Sequence, residues 1–328
     1  LIQTNFSDTY PLLDAWAGYH PTKNISIYFG QKQSPFNNHS MQIMEYNLQF
    51  ASRNNLSKVF CETGREFGLF IETKYLLGTI GLKTFAAVTS GDGKNSFGVL
   101  SNDTDKGGLK YGARMNLYPF GFFSNGNELI GHDITKESKP KLMFGAASSL
   151  NIGASHSVGE GHYLEPDPGF DPPRETFVFY DSTGLNMFPN YLKNYIDLLF
   201  KYKGFNFLAE YVNTAAYQLQ GSSLNSAGTV LLEPTQISNY LVLGNAYNIQ
   251  AGYLFKSDWS IDLKWGQSYK EFSNDNSLLL NYDSMGAGFS KYFSNKAVKT
   301  QLMATYYNFP NSSYLNQLNL ECVFQLKF

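Results

Sequence analysis

The chain closes on LNQLNLECVFQLKF, residues 315–328. Leu318, Leu320, Cys322, Phe324, Leu326 and Phe328 occupy every second position of that run. Gln317, Asn319, Glu321, Gln325 and Lys327 fill the positions between them, with Val323 the one apolar exception. A β-strand sends successive side chains to opposite faces. The run is therefore a strand with one apolar face and one face of amides and charges, and the fold depends on what lies against each.

The same period of two recurs along the whole chain. In DWSIDLKW (258–265), Trp259, Ile261, Leu263 and Trp265 face one way and Asp258, Ser260, Asp262 and Lys264 the other. Similar runs cover 24–32, 109–117 and 247–256. Counted through, the pattern predicts thirteen strands, at about 11–19, 24–33, 64–74, 79–90, 109–118, 141–152, 191–203, 204–218, 245–256, 258–270, 280–293, 296–308 and 315–328. No segment of comparable length holds a helical period with caps.

Composition narrows the class. Of 328 residues, 43% are hydrophobic, 16% aromatic and only 16% charged; a soluble domain carries about 25% charged residues. No run approaches the roughly 20 apolar residues that a membrane helix needs. A net charge of -2 offers nothing to nucleic acid. The two cysteines, Cys61 and Cys322, are too few for a disulfide framework.

Strand length and loop length decide between the all-β classes. The predicted strands run about 9–14 residues, against roughly 5–6 in soluble sheets and about 9–11 for a tilted strand crossing a bilayer. Short links alternate with long polar ones at about 34–63, 91–108, 153–190 and 219–244. That asymmetry is the pattern of a transmembrane antiparallel β-barrel. One link breaks it: 119–140 falls on the short-turn side. A soluble β-sandwich or propeller also alternates, but explains neither the strand length nor the low charge. The reading is a single all-β barrel over 1–328. Tyr19, Tyr118, Phe120, Tyr292, Phe293, Tyr306 and Phe309 are its expected interface aromatics. Bacterial single-chain barrels have an even number of strands. The odd count predicts that Leu1 is not the natural start and that one or three strands precede it; three would give 16 strands.

Several stretches, in order, resemble the phosphate- and polyphosphate-selective porin family, porins O and P. They are LLDAWAGYHPTKNISIYFGQKQSPF (12–36), REFGLFI (65–71), FAAVTSGDGKN (85–95), YGARMNLYPFG (111–121) and YNIQAGYLF (247–255). The resemblance implies a sixteen-stranded barrel in the bacterial cell outer membrane, a homotrimer, and loops folded inward to narrow the pore. It implies contact with membrane lipid and lipopolysaccharide, passage through the barrel-assembly machinery, and no cofactor. The closing strand is similar to the signal that machinery reads, which Phe324, Leu326 and Phe328 would carry. The family's arginine ladder is not matched, because the chain has only Arg53, Arg65, Arg114 and Arg174. Lysine is a poorer bidentate partner for phosphate.

The polar registers supply the pore-lining candidates: Lys32, Arg65, Lys110, Arg114, Asp197, Lys201, Asp262, Lys264, Lys299 and Glu321. Acids and bases share these registers, which argues for weak ion selectivity. GDGKNS (91–96) lacks the glycine and hydroxyl spacing of a phosphate loop. Asn102, Asp103 and Asp105 lack the full ligand spacing of a calcium loop. No metal spacing joins His156, His162, Glu160 and Glu165, which read as surface residues. No G-x-S-x-G nucleophile motif is present, so the chain is not expected to be an enzyme. The expected function is a porin passing small hydrophilic solutes, including anions such as phosphate. The alternative is an accessory subunit of a larger envelope complex whose own loops fill the lumen. The segment 37–63 and the Pro-rich 165–173 are the candidate constrictions.

Overall fold

The computed structural model describes residues 1–4, 12–61, 64–91, 93–94, 108–154, 156–160, 179–293, 296–310 and 314–326. Strands β1 to β7 are Ile2–Thr4, Leu12–Thr22, Ile25–Gln33, Arg65–Leu77, Ile80–Thr89, Lys110–Tyr118 and Lys141–Asn151. A two-rung hairpin, β8 (Phe179–Tyr180) and β9 (Asn186–Met187), sits in the next connection. Strands β10 to β16 are Asn190–Tyr202, Phe205–Tyr217, Gly244–Leu254, Trp259–Lys270, Tyr282–Phe293, Val298–Asn308 and Gln317–Leu326. All but the hairpin form one 14-stranded antiparallel sheet, in which each strand pairs with its neighbours in the chain. Thirteen of the fourteen coincide with the period-two runs. The additional one is β1, which pairs with β2 over three residues across a register shift.

The alternation is inverted relative to a water-soluble sheet. Leu263, Leu302 and Leu320 are 59%, 56% and 74% exposed, whereas Asp262, Gln301 and Lys201 are at most 1% exposed. A sandwich packs its apolar faces together; this sheet turns them outward and buries its polar ones. Its curvature is visible at one residue. Gln49 receives a hydrogen bond from Asn206 on β11, donates one to Asp262 on β13, and its carbonyl accepts one from Gln301 on β15. In a flat sheet β11 and β15 lie about 19 Å apart, at roughly 4.8 Å per strand. Only a sheet curled round a central segment lets one residue meet all three. The fold is an antiparallel β-barrel with an apolar outer wall.

Five connections at one end of the wall are turns, apart from the long link 119–140, and the long loops stand at the other. Two of the expected interface aromatics face inward. Tyr118 shares the parity of Arg114 and Asn116, and Tyr292 that of Ser290; they are 1% and 6% exposed.

Candidate functional site

The interior is built from two segments that enter from opposite ends. The first, between β3 and β4, carries helix α1 (His39–Gln42) and helix α2 (Asn55–Phe60). Asn54 caps α2 by accepting from Ser57 N at 2.8 Å, which satisfies one of the amides left free at a helix start. The wall is shaped for this segment. Phe36 is fully buried in the space left at Gly112, where a Cβ would overlap its ring. Glu210 on β11 accepts from Ser40 N at 2.6 Å, Ser40 Oγ at 2.7 Å, Asn38 Nδ2 and Asn54 Nδ2 at 2.9 Å, and Asn248 Nδ2 at 2.7 Å. Arg114 pairs with Asp197 and also donates to Asn37 O at 2.8 Å. Asp197 in turn accepts from His39 N at 3.1 Å.

The second segment is 119–140. Its His132 ring lies between Asp262, 2.9 Å from Nε2, and the Tyr292 hydroxyl, 2.7 Å from Nδ1. Lys201 on β10 donates to three of its carbonyls, those of Asn127, Ile130 and His132. The two segments touch. Gly131 N donates to Asn47 O at 2.7 Å, and His39 Nε2 lies 2.8 Å from Glu128 O. Burial, with Arg114 beside it, lowers the His39 ring to about 3, so the imidazole is neutral near pH 7.

A third anchor lies towards the loop end. Lys110 pairs with Glu66, and Lys193 lies 3.2 Å from Glu160 while donating to Phe60 O at 2.9 Å. Burial alone would raise the Glu160 carboxyl, but Lys193 and Lys110 outweigh it and hold it below the usual range. The Cys61 thiol, 3.0 Å from the Tyr195 hydroxyl, is pushed up to about 11 by burial. Cys61 and Cys322 are both free.

One cavity, of about 480 Å³, lies between the first segment and the wall of β2 to β6, and another, of about 440 Å³, lies between the two segments and β14 to β16. Four ion pairs line the first: Lys32–Glu72 at 2.6 Å, Arg53–Glu45 and Lys83–Glu128 at 2.7 Å, and Arg65–Asp14 at 3.2 Å. Lys23 and Lys74 also line it, with no acidic partner among the described residues. Among the described residues, no group of three or more His, Cys, Asp or Glu is placed to hold a metal.

No family model matches the chain, and no curated protein is similar to it. Three solved structures align over most of its length. OccK5 (OpdH) of Pseudomonas aeruginosa shows a TM-score of 0.44 and 9% identity, covering 98% of this chain and 72% of that one. OccK8 (OprE) of the same organism gives 0.36 and 9%, over 93% and 77%. A BenF-like porin from Pseudomonas fluorescens Pf-5 gives 0.35 and 10%, over 92% and 74%.

The polar register placed its candidates on the inner wall, in three settings. Lys32 and Arg65 line the first cavity. Lys110, Arg114, Asp197, Lys201, Asp262 and Lys299 are buried under the folded-in segments, Lys299 donating to Leu48 O at 3.0 Å. Lys264 lies 5.1 Å from the Phe50 ring, and Glu321 accepts from Ser52 Oγ at 3.3 Å. Phe324 and Leu326 are exposed on the outer wall; Phe328 lies outside the described residues. So do 165–173, Asp92, Asn95 and Ser96, and Asn102, Asp103 and Asp105. Sequence reasoning passed over Glu66, Lys193 and Glu210, all on the same polar register. It also read Glu160 as a surface residue, yet it is 1% exposed. Nothing in its own stretch signals that, because its partners Lys110 and Lys193 come from β6 and β10.

Proposed function

We propose that the chain is an outer-membrane channel that lets small hydrophilic solutes cross along the β2–β6 side of the lumen. The cavity of about 480 Å³ beside the first folded-in segment carries this reading. Its lining sets four ion pairs and two further lysines among apolar side chains such as Trp16, Ile43 and Phe85, inside a wall whose outer face is apolar, and charged groups facing the lumen suit a water-filled path through a lipid-embedded barrel. The finer reading is a weak preference for anions, inorganic phosphate among them. Lys32, Arg53, Arg65 and Lys83 are each neutralised by a paired acid, which leaves Lys23 and Lys74 as the excess charge. A pair of lysines biases permeation without building a high-affinity site.

A second reading has a specific observation behind it. The Gly131–Asn47 hydrogen bond joins the two segments across the lumen, and a barrel filled in this way suits an accessory subunit. Single-channel recording in a planar bilayer separates the two. Narrow, phosphate-sensitive steps from the folded protein fit the channel. Silence from folded protein, turning to large steps when 35–60 is replaced by a short linker, fits the filled barrel.

A further inference from the structure

The turn end of the connections is lysine-rich, with six lysines against Glu128, Asp133, Glu137 and Asp258. At the turn end stand Lys23, Lys136, Lys139, Lys203, Lys256 and Lys296, one or more in five of the six connections. The described parts of the outer loops hold more acids, Glu45, Glu160, Asp181, Glu233, Glu271 and Asp275, than bases, Arg53, Lys58 and Lys94. Within the turn-end set, one stretch is built as a ledge. The turn after β10 lies against the turn after β12, since Leu254 N donates to Gly204 O at 2.8 Å. Lys203 and Lys256 are exposed there, and Lys136 Nζ reaches the same ledge at Phe255 O, 3.0 Å away. The aromatics just above them face outward: Tyr253, Phe255, Trp259 and Phe293 are 40–50% exposed. Lys291 lies on the outward register of β14. Its ammonium lies 5.1 Å from the Trp259 ring and 5.7 Å from that of Phe293, and donates to Ser257 O at 2.7 Å. A lysine on a lipid-facing register that bends down past aromatic rings marks the level where hydrocarbon gives way to headgroups. No ion pair engages Lys203, Lys256 or Lys291 among the described residues. The acids nearby, Asp133 and Asp258, act on Lys296.

We propose that this ledge is a docking surface for anionic phospholipid headgroups of the membrane leaflet at the turn end, held by Lys203, Lys256 and Lys291 over Phe255 and Trp259. The phosphodiester takes the ammonium groups and the acyl chains lie along the aromatics. Charge complementarity selects the occupant: the ledge is basic and lies at the edge of an apolar wall. It rests on the barrel being embedded in lipid and is independent of whether the lumen conducts.

The test places the full chain in vesicles of phosphatidylethanolamine with increasing phosphatidylglycerol, either lipid being brominated in turn, and reads quenching of tryptophan fluorescence. At low ionic strength the expected preference for phosphatidylglycerol is about two- to fivefold, and it fades in high salt. K203Q/K256Q/K291Q removes it, and K203E/K256E, which changes only exposed turn residues, reverses it. Equal quenching by both lipids in the wild type would overturn the proposal. So would an unchanged preference in the triple variant. A variant that keeps its lipid preference but loses anion-over-cation permeability overturns it too, and assigns these lysines to the pore mouth.

Discussion

Gly131 and Asn47 come from segments that enter the barrel at opposite ends, and the 2.7 Å hydrogen bond from Gly131 N to Asn47 O is where those segments meet. The contact needs glycine. A Cβ at 131 would overlap the backbone of Gln49, the residue that ties the first segment to three strands. Gly131→Ala is expected to part the two segments at a cost of about 1–3 kcal/mol, the usual range for overpacking a filled interior. Single-channel conductance should rise, and the temperature at which the barrel loses its compact gel mobility should fall. Wild-type values for both would show that the junction does not hold the lumen closed.

Arg114 and Asp197 form a fully buried pair beneath His39. Removing one member leaves a charge with no counterpart, at a cost of about 3–5 kcal/mol. Arg114→Met should therefore lower the urea midpoint in detergent micelles, and the double change R114M/D197L should recover much of the loss. A double variant no better than the single one would contradict this account.

His39 makes the interior sensitive to acid. Its folded value is about 3, against 6.5 for the free side chain, so the unfolded chain takes up the proton first as pH falls. The contribution to stability is complete above about pH 6.5. It declines at up to about 1.4 kcal/mol per pH unit from there down to about 3. His39→Gln, which can still donate to Glu128 O, should flatten the fall in melting temperature between pH 6.5 and 4. Parallel curves for the two proteins would exclude His39 as the cause.

Leu263 lies in the middle of β13 on the outer wall and is 59% exposed. Leu263→Lys should cost about 2–4 kcal/mol in folding into vesicles if that wall faces hydrocarbon. Lys264→Leu, one residue away and facing inward, should not incur this lipid penalty. Equal costs from equilibrium refolding into lipid would argue that the wall is not lipid-facing.

Thirteen strands were legible because each holds its alternation over nine or more residues, and register errors would turn whole apolar faces into the lumen. β1 was not, since three residues carry no period. Tyr118 and Tyr292 show the cost of reading residue type ahead of parity: both share the register of buried polar neighbours. The irregular length of 119–140 was visible, but its place was not. His132 is held by Asp262 and Tyr292, and Lys201 meets carbonyls about seventy positions away. Partners that distant leave no local trace. For the same reason, the polar register marked Lys110, Arg114 and Lys201 as inward-facing without revealing that protein, not open lumen, would lie against them.

The hollow at Gly112 and the hydrogen bond from Ser52 to Glu321 together tie the barrel's contents to its wall. The segment that fills the barrel lies between β3 and β4, yet Ser52 within it donates to Glu321 on β16, at the far edge of the sheet. A wall without β16 would leave this segment short of that contact. The packing of the interior and the curl of the wall are thus coupled, because the strand farthest along the sheet supplies an inward contact as well as an outward apolar face.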